Sequence, residues 1–152
     1  MRRNVDADVL FPRLRDFARH VYDAGAEVRG VRRLPGHSGL SYGFEVHRAG
    51  HGGRPDHLVI RLSPRAGPAT GNTDMVRQAR LLQAVGRCGV PVPAVRWYGD
   101  DPRWFGVAYH LTSLMPGRPF QDWDPDPSFD LSACGILAVY RQAVDGDRKS
   151  VV

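Results

Sequence analysis

Residues able to do chemistry fall in four places along the chain. Gly36, Ser38, Gly39 and Ser41 crowd a turn between two apolar segments. Without a Cβ, glycines there let backbone N–H groups come close to an anion such as a phosphate. The same composition also suits a tight, solvent-exposed hairpin. Arg61 interrupts the run Leu58-Val59-Ile60-Arg61-Leu62, and a charge so placed faces either water or a functional cleft. Period two sets Val59 and Arg61 on one side and Leu58, Ile60 and Leu62 on the other. Gln78 shares a helix stripe with Met75, Leu82 and Val85, where its carbonyl could accept from a guanidinium without supplying charge. A plain, half-buried helix residue is the alternative. Thr112, Ser113, Leu114 and Met115 close an apolar strand before Pro116-Gly117.

Two apparent metal signals carry less weight. His47, His51 and His57 have His-x3-His-x5-His spacing but sit in a Gly/Pro-rich connection, where no scaffold fixes them, so no metal is expected. Asp122, Asp124 and Asp126 resemble a calcium loop only superficially. The segment lacks the turn glycine and the distal glutamate and carries Pro125 and Pro127, which favours a linker.

The elements that must position these residues follow from periodicity. Leu10, Leu14, Phe17, Ala18, Val21 and Tyr22 describe one face of a helix over 8–22, with Gly25 as its stop. Strands are predicted near 28–34, 40–46 and 58–62, as an antiparallel meander. The segment RAGPATGN reads as a loop, after which Asn72 or Thr73 caps a helix that Gly86 and Gly89 close. Short strands at 95–98 and 107–115 are separated by the turn Gly99-Asp100-Asp101-Pro102, and a last helix is predicted around 131–144. The expected fold is α+β: a five-stranded antiparallel sheet with one inserted helix, preceded by an N-terminal helix and followed by a linker and a short helix. The divisions expected are 1–27, 28–117 and 118–152.

Composition narrows the setting. The chain has 152 residues, with 21 Lys plus Arg against 16 Asp plus Glu, a formal charge of +5. No apolar run approaches the ~20 residues of a membrane span. The opening MRRNVDADVL has no apolar stretch after its arginines, which makes a cytoplasmic location the expectation. All the cations but Lys149 are arginines, scattered along the chain, and scattering argues against a nucleic-acid arm. Cys88 and Cys134 lack metal-ligand spacing and read as small buried hydrophobes.

Taken in order, Gly36-His37-Ser38-Gly39-Leu40-Ser41-Tyr42, Leu58 to Pro64, Arg77 to Leu82 with Val90-Pro91-Val92-Pro93, and Met115-Pro116-Gly117-Arg118-Pro119-Phe120 resemble the N-terminal lobe of the aminoglycoside phosphotransferase-like kinases. The likeness is greatest to the branch fused to some acyl-CoA dehydrogenases, and it runs over about residues 8–144. It implies a protein-kinase-like N-lobe in which Gly36, Ser38, Gly39 and Ser41 cover nucleotide phosphates. Val59 would lie on the adenine side and Arg61 on the phosphate side. Gln78 stands where the family usually has an acidic residue to hold that cation. Thr112 would line the back of the pocket, with Ser113, Leu114 and Met115 as a hinge that recognises adenine through the backbone; the family often has an acidic residue at Ser113.

Phosphoryl transfer also needs a residue to orient the acceptor and ligands for Mg²⁺. In this family they come from a C-terminal lobe with a His-Gly-Asp-type loop, a downstream Asn and a metal-binding Asp. No His here is followed by x-Asp with an Asn five residues on, and the asparagines Asn4 and Asn72 both precede the hinge. The leading expectation is a truncated small-molecule kinase that keeps the ATP-binding lobe, binds ATP weakly, holds no Mg²⁺ and is inactive alone. An alternative is a non-catalytic module pairing with a separately encoded C-lobe, another protein or itself, through apolar area the missing half would cover. A basic nucleic-acid-binding domain ranks last.

Overall fold

The computed structural model describes residues 7–34, 40–48, 53–64 and 70–116, together with Ser132, Cys134, Gly135, Leu137 and Arg141. In chain order the elements are α1 (Ala7–Val21), β1 (Glu27–Arg33), β2 (Leu40–His47), β3 (Asp56–Leu62), a 3-10 turn (Gly71–Thr73), α2 (Met75–Arg87), β4 (Val95–Gly99), α3 (Pro102–Phe105) and β5 (Tyr109–Ser113). The strands form one antiparallel sheet in the order β1-β2-β3-β5-β4. The expected α+β architecture is thus present, with its five strands and inserted helix. Two units divide the chain: Met1–Gln83 with Pro93–Leu114, and Ala84–Val92 with Met115–Val152.

The first unit holds the sheet. Leu10, Leu14, Phe17 and Ala18 repeat at helical spacing on α1 and are buried, while the rest of its surface is mainly polar, with Val9 and Phe11 exposed. They meet one face of the sheet, made by Tyr42, Phe44 and Val46 of β2, Leu58, Ile60 and Leu62 of β3, and Tyr109 and Leu111 of β5. Phe17 is the hub of this core. Its ring lies 5.2 Å from Trp104, 5.4 Å from Phe105, 5.6 Å from Tyr109 and 6.1 Å from Trp97, mostly edge to face, the favoured arrangement for aromatic quadrupoles. The side chain of Asp23 ends the α1 segment by accepting from the Gly25 N–H at 2.8 Å, and its carbonyl accepts from Ala26. An Asx turn at Asp23 therefore works together with the expected glycine stop.

Three local features differ from expectation. Asp74, rather than Asn72 or Thr73, caps α2: its carboxylate accepts from the Arg77 N–H at 2.9 Å, while Thr73 turns back to Thr70. The expected turn 99–102 runs into a one-turn helix, α3. Asp101 accepts from the Arg103 N–H at 3.0 Å, Pro102 takes a first-turn place without loss of a bond, and Gly106 ends the turn at φ 75°. As a result β5 starts at Tyr109, two residues later than the expected strand. The register between β1 and β2 also slips between Arg29 and Arg32, where Gly30 has φ 63°, a conformation that favours glycine.

The second unit contains the end of α2, its closing turn at Gly89 with φ 81°, and Met115, which is exposed. Gly86 lies within α2 rather than closing it. Cys134, Gly135, Leu137 and Arg141 are helical, and Ser132 accepts from the Gly135 N–H at 3.1 Å. Cys88 and Cys134 are both free and exposed, contrary to the buried reading. Cys88 lies in the turn after α2, and Cys134 is helical.

Truncating the hub of the α1 interface should cost about 3–5 kcal/mol, the range for a buried phenylalanine. Urea unfolding of Phe17→Ala, followed by tryptophan fluorescence because Trp97 and Trp104 abut the ring, is expected to show that loss; an unchanged midpoint would contradict the packing described.

Candidate functional site

Antiparallel register decides which side chains share the sheet face turned away from α1. Residues directly opposite one another lie on one face, so β2, β3 and β5 present two rows there: Ser41, Arg61 and His110, and then Gly43, Val59 and Thr112. The alternation predicted for 58–62 holds, with Leu58, Ile60 and Leu62 buried in the core and Val59 and Arg61 half-buried on the other side.

Arg61 gives this face its charge. Loss of water around the guanidinium pulls its pKa down from the usual arginine value, yet arginine stays charged at any working pH. A half-desolvated cation requires acceptors. Gln78 supplies one, since the Arg61 Nη1–H donates to Gln78 Oε1 at 2.9 Å. The residues paired by sequence reasoning are therefore in contact, through a neutral acceptor instead of a carboxylate.

Two further hydrogen bonds fix the start of α2, and with it Gln78. The Ser63 hydroxyl, just past β3, donates to the Thr73 carbonyl at 2.6 Å. From β5, His110 Nδ1 lies 3.1 Å from the Met75 carbonyl oxygen. That oxygen can only accept, so the neutral ring carries its proton on Nδ1. His110 is 1% exposed, and Met75 and Ala79 of α2 are also buried. Burial, the largest cause, lowers the pKa of His110; the hydrogen bond to the Met75 carbonyl offsets part of this, and the positive charge of Arg61 adds a smaller lowering. Sequence reasoning missed His110. Its signal was a titratable residue on the Thr112 side of an apolar strand, two residues away.

Gly43 serves the second row. A Cβ there would come within 3.3 Å of the Leu34 side chain, so the missing side chain leaves room for Leu34 to fold over the strand beside Val59. Thr112 is buried next to Val59. Ser113 lies opposite Leu58, out of these rows, and its hydroxyl accepts from the Ala94 N–H at 3.0 Å. The N–H groups of Ser113 and Leu114 donate to the carbonyls of Ala94 and His57 at 2.9 Å each. They are committed to the fold. Met115 belongs to the second unit.

Gly36, Ser38 and Gly39 lie outside the described residues, as do His51 and the Asp122 to Asp126 segment. Glu45 accounts for the other two histidines of the spaced set: its carboxylate oxygens are 3.1 Å from His47 Nε2 and 3.5 Å from His57 Nδ1. Among the described residues no group of three or more His, Cys, Asp or Glu is arranged to hold a metal ion, and no helix is long and apolar enough to cross a membrane.

No protein-family model and no curated protein matches the chain. Among solved structures, the fold is similar to that of a candidate aminoglycoside phosphotransferase from Ralstonia eutropha JMP134, with a TM-score of 0.51 and 19% sequence identity. The match covers 77% of this chain and 31% of that one, so the chain spans less than a third of the solved protein. At this identity the likeness is one of fold. The α+β unit with its five-stranded antiparallel sheet, N-terminal helix and inserted helix has the fold of a kinase-like N-lobe.

Proposed function

We propose that this chain is the nucleotide-side lobe of a small-molecule phosphotransferase of the aminoglycoside phosphotransferase-like group. The observation that carries the reading is Arg61, a half-desolvated cation set into β3 and held by Gln78 in a row with Ser41. A cation placed so costs solvation free energy, and an anionic ligand recovers it. ATP fits this charge. Its phosphates would meet Arg61 and Ser41, with Gly36, Ser38 and Gly39 of the preceding turn, and its base would lie toward Val59 and Thr112. Adenine recognition at Ser113 and Leu114 would fall to backbone groups other than their committed N–H groups.

Binding in this reading is weak, and the 152 residues transfer no phosphate alone. They carry no His-x-Asp loop with a following Asn to orient an acceptor and hold Mg²⁺. The complementary groups would come from a second lobe, as a separate chain or as further sequence. The fold neighbour supports this division, since most of its length lies outside the match.

With Mg-ATP at roughly ten times its Kd, binding should stabilise the chain by about 1.4 kcal/mol, a rise of a few degrees in Tm. Arg61→Ala should lose that rise; equal shifts in both proteins, or none in either, would count against the proposal. Gln78→Ala should cost about 1–3 kcal/mol in urea unfolding, because it takes an acceptor from a half-buried guanidinium. Gln78→Glu should restore the stability through a charge-assisted bond, and an alanine variant as stable as wild type would refute the tie.

A further inference from the structure

The row that holds Arg61 contains a group for which nucleotide binding has no direct use. His110 stands opposite Arg61 on β5, is 1% exposed, and donates from Nδ1 to the first turn of α2. Gln78, the acceptor of Arg61, stands three residues further along that helix. We propose that His110 is a positioning residue for Arg61: as the neutral imidazole it ties α2 to β5 and keeps Gln78 on the guanidinium, and on protonation it releases that arrangement.

The charges around the ring give the proposal its direction. Among the described residues, β3 presents Arg61 to it, α2 the Met75 carbonyl and, nearby, the neutral Gln78, and β4 has Tyr98 at the matching register position. Among the described residues the charge that acts on its titration is the positive charge of Arg61, and no carboxylate does. A second positive charge beside a half-desolvated guanidinium, on a ring 1% exposed, is disfavoured despite the hydrogen bond to Met75, so protonation weakens the packing of the ring against α2. The folded state thus binds this proton less well than the unfolded chain does. The stability linked to it is complete above the ordinary histidine pKa of about 6.5 and is lost as the pH falls below that value. Capture of phosphate by Arg61 weakens over the same range, a consequence that rests on the nucleotide reading above.

His110→Asn places an amide N–H near the position of Nδ1 but cannot take up a proton. The test compares wild type and this variant, as full 152-residue chains, by Tm without nucleotide and by Kd for Mg-ATP, each from pH 7.5 down to 5.5. Wild type should lose at least about 3 °C more than the variant. Its Kd should rise by roughly three- to tenfold more, the nucleotide's own titration being common to both. Amide hydrogen exchange at Gln78 and Ala79 should accelerate at low pH in wild type only. Parallel pH profiles in the two proteins would overturn the proposal, as would nucleotide binding that tightens on acidification in wild type alone. If neither protein bound nucleotide at any pH while the Tm difference persisted, the nucleotide reading would fall and the latch would stand. Should the asparagine variant not fold, a directly observed His110 ring titration at or above pH 6.5 in wild type would overturn it, and a depressed one would support it.

Discussion

A guanidinium fixed in the middle strand of a sheet has given up much of its hydration, and the elements around Arg61 are arranged in answer to that cost. It cannot shed its proton to escape, as a buried lysine can, so acceptors have to be brought to it. One comes from α2, which must then be held in one rotation and at one height over the sheet. Three side-chain contacts do this: Ser63 to Thr73, His110 to Met75, and Arg61 itself to Gln78. The segment between β3 and α2 is therefore pinned at both of its ends and at the helix beyond.

That arrangement is affordable because the other face of the sheet carries the stability. Leu58, Ile60 and Leu62 alternate with Val59 and Arg61, so the strand that bears the cation also contributes three fully buried aliphatic side chains to the core beneath α1. Phe17 joins this core to Trp97, Trp104, Phe105 and Tyr109. Among the described residues, one face is apolar and packed against α1, and the other is mixed, with the first turns of α2 tied to it. Such a division suits a sheet that must be rigid and also offer polar groups to a ligand.

Much of this was legible in short-range pattern. Alternation over 58–62 separated the two faces and marked Arg61, and helical spacing placed Gln78 on the side of α2 from which it reaches the guanidinium. What escaped reading depends on contacts distant in sequence. His110 looks like any core histidine until the pairing of β5 with β3 sets it opposite Arg61 and α2 settles over it. Asn72, Thr73 and Asp74 are all good caps by type, and what marks Asp74 is the bond it accepts from the Arg77 N–H while Thr73 is committed to Thr70. Asp101-Pro102 with Gly106 carried a helix start and stop signal, but a single helical turn gives no periodicity to reinforce it. The exposure of Cys88 and Cys134 escaped reading for a related reason: burial of a small residue depends on what packs over it, which local sequence does not encode.

The central claim is that the face bearing Ser41, Arg61, Gly43, Val59 and Thr112 receives a nucleotide. Backbone amide NMR of the chain titrated with a non-hydrolysable ATP analogue and Mg²⁺ tests it most directly. Saturable shifts concentrated on those two rows and on the first turns of α2 are the predicted result. Shifts confined to the exposed arginines of β1, to the α1 side, or absent at millimolar analogue would contradict it.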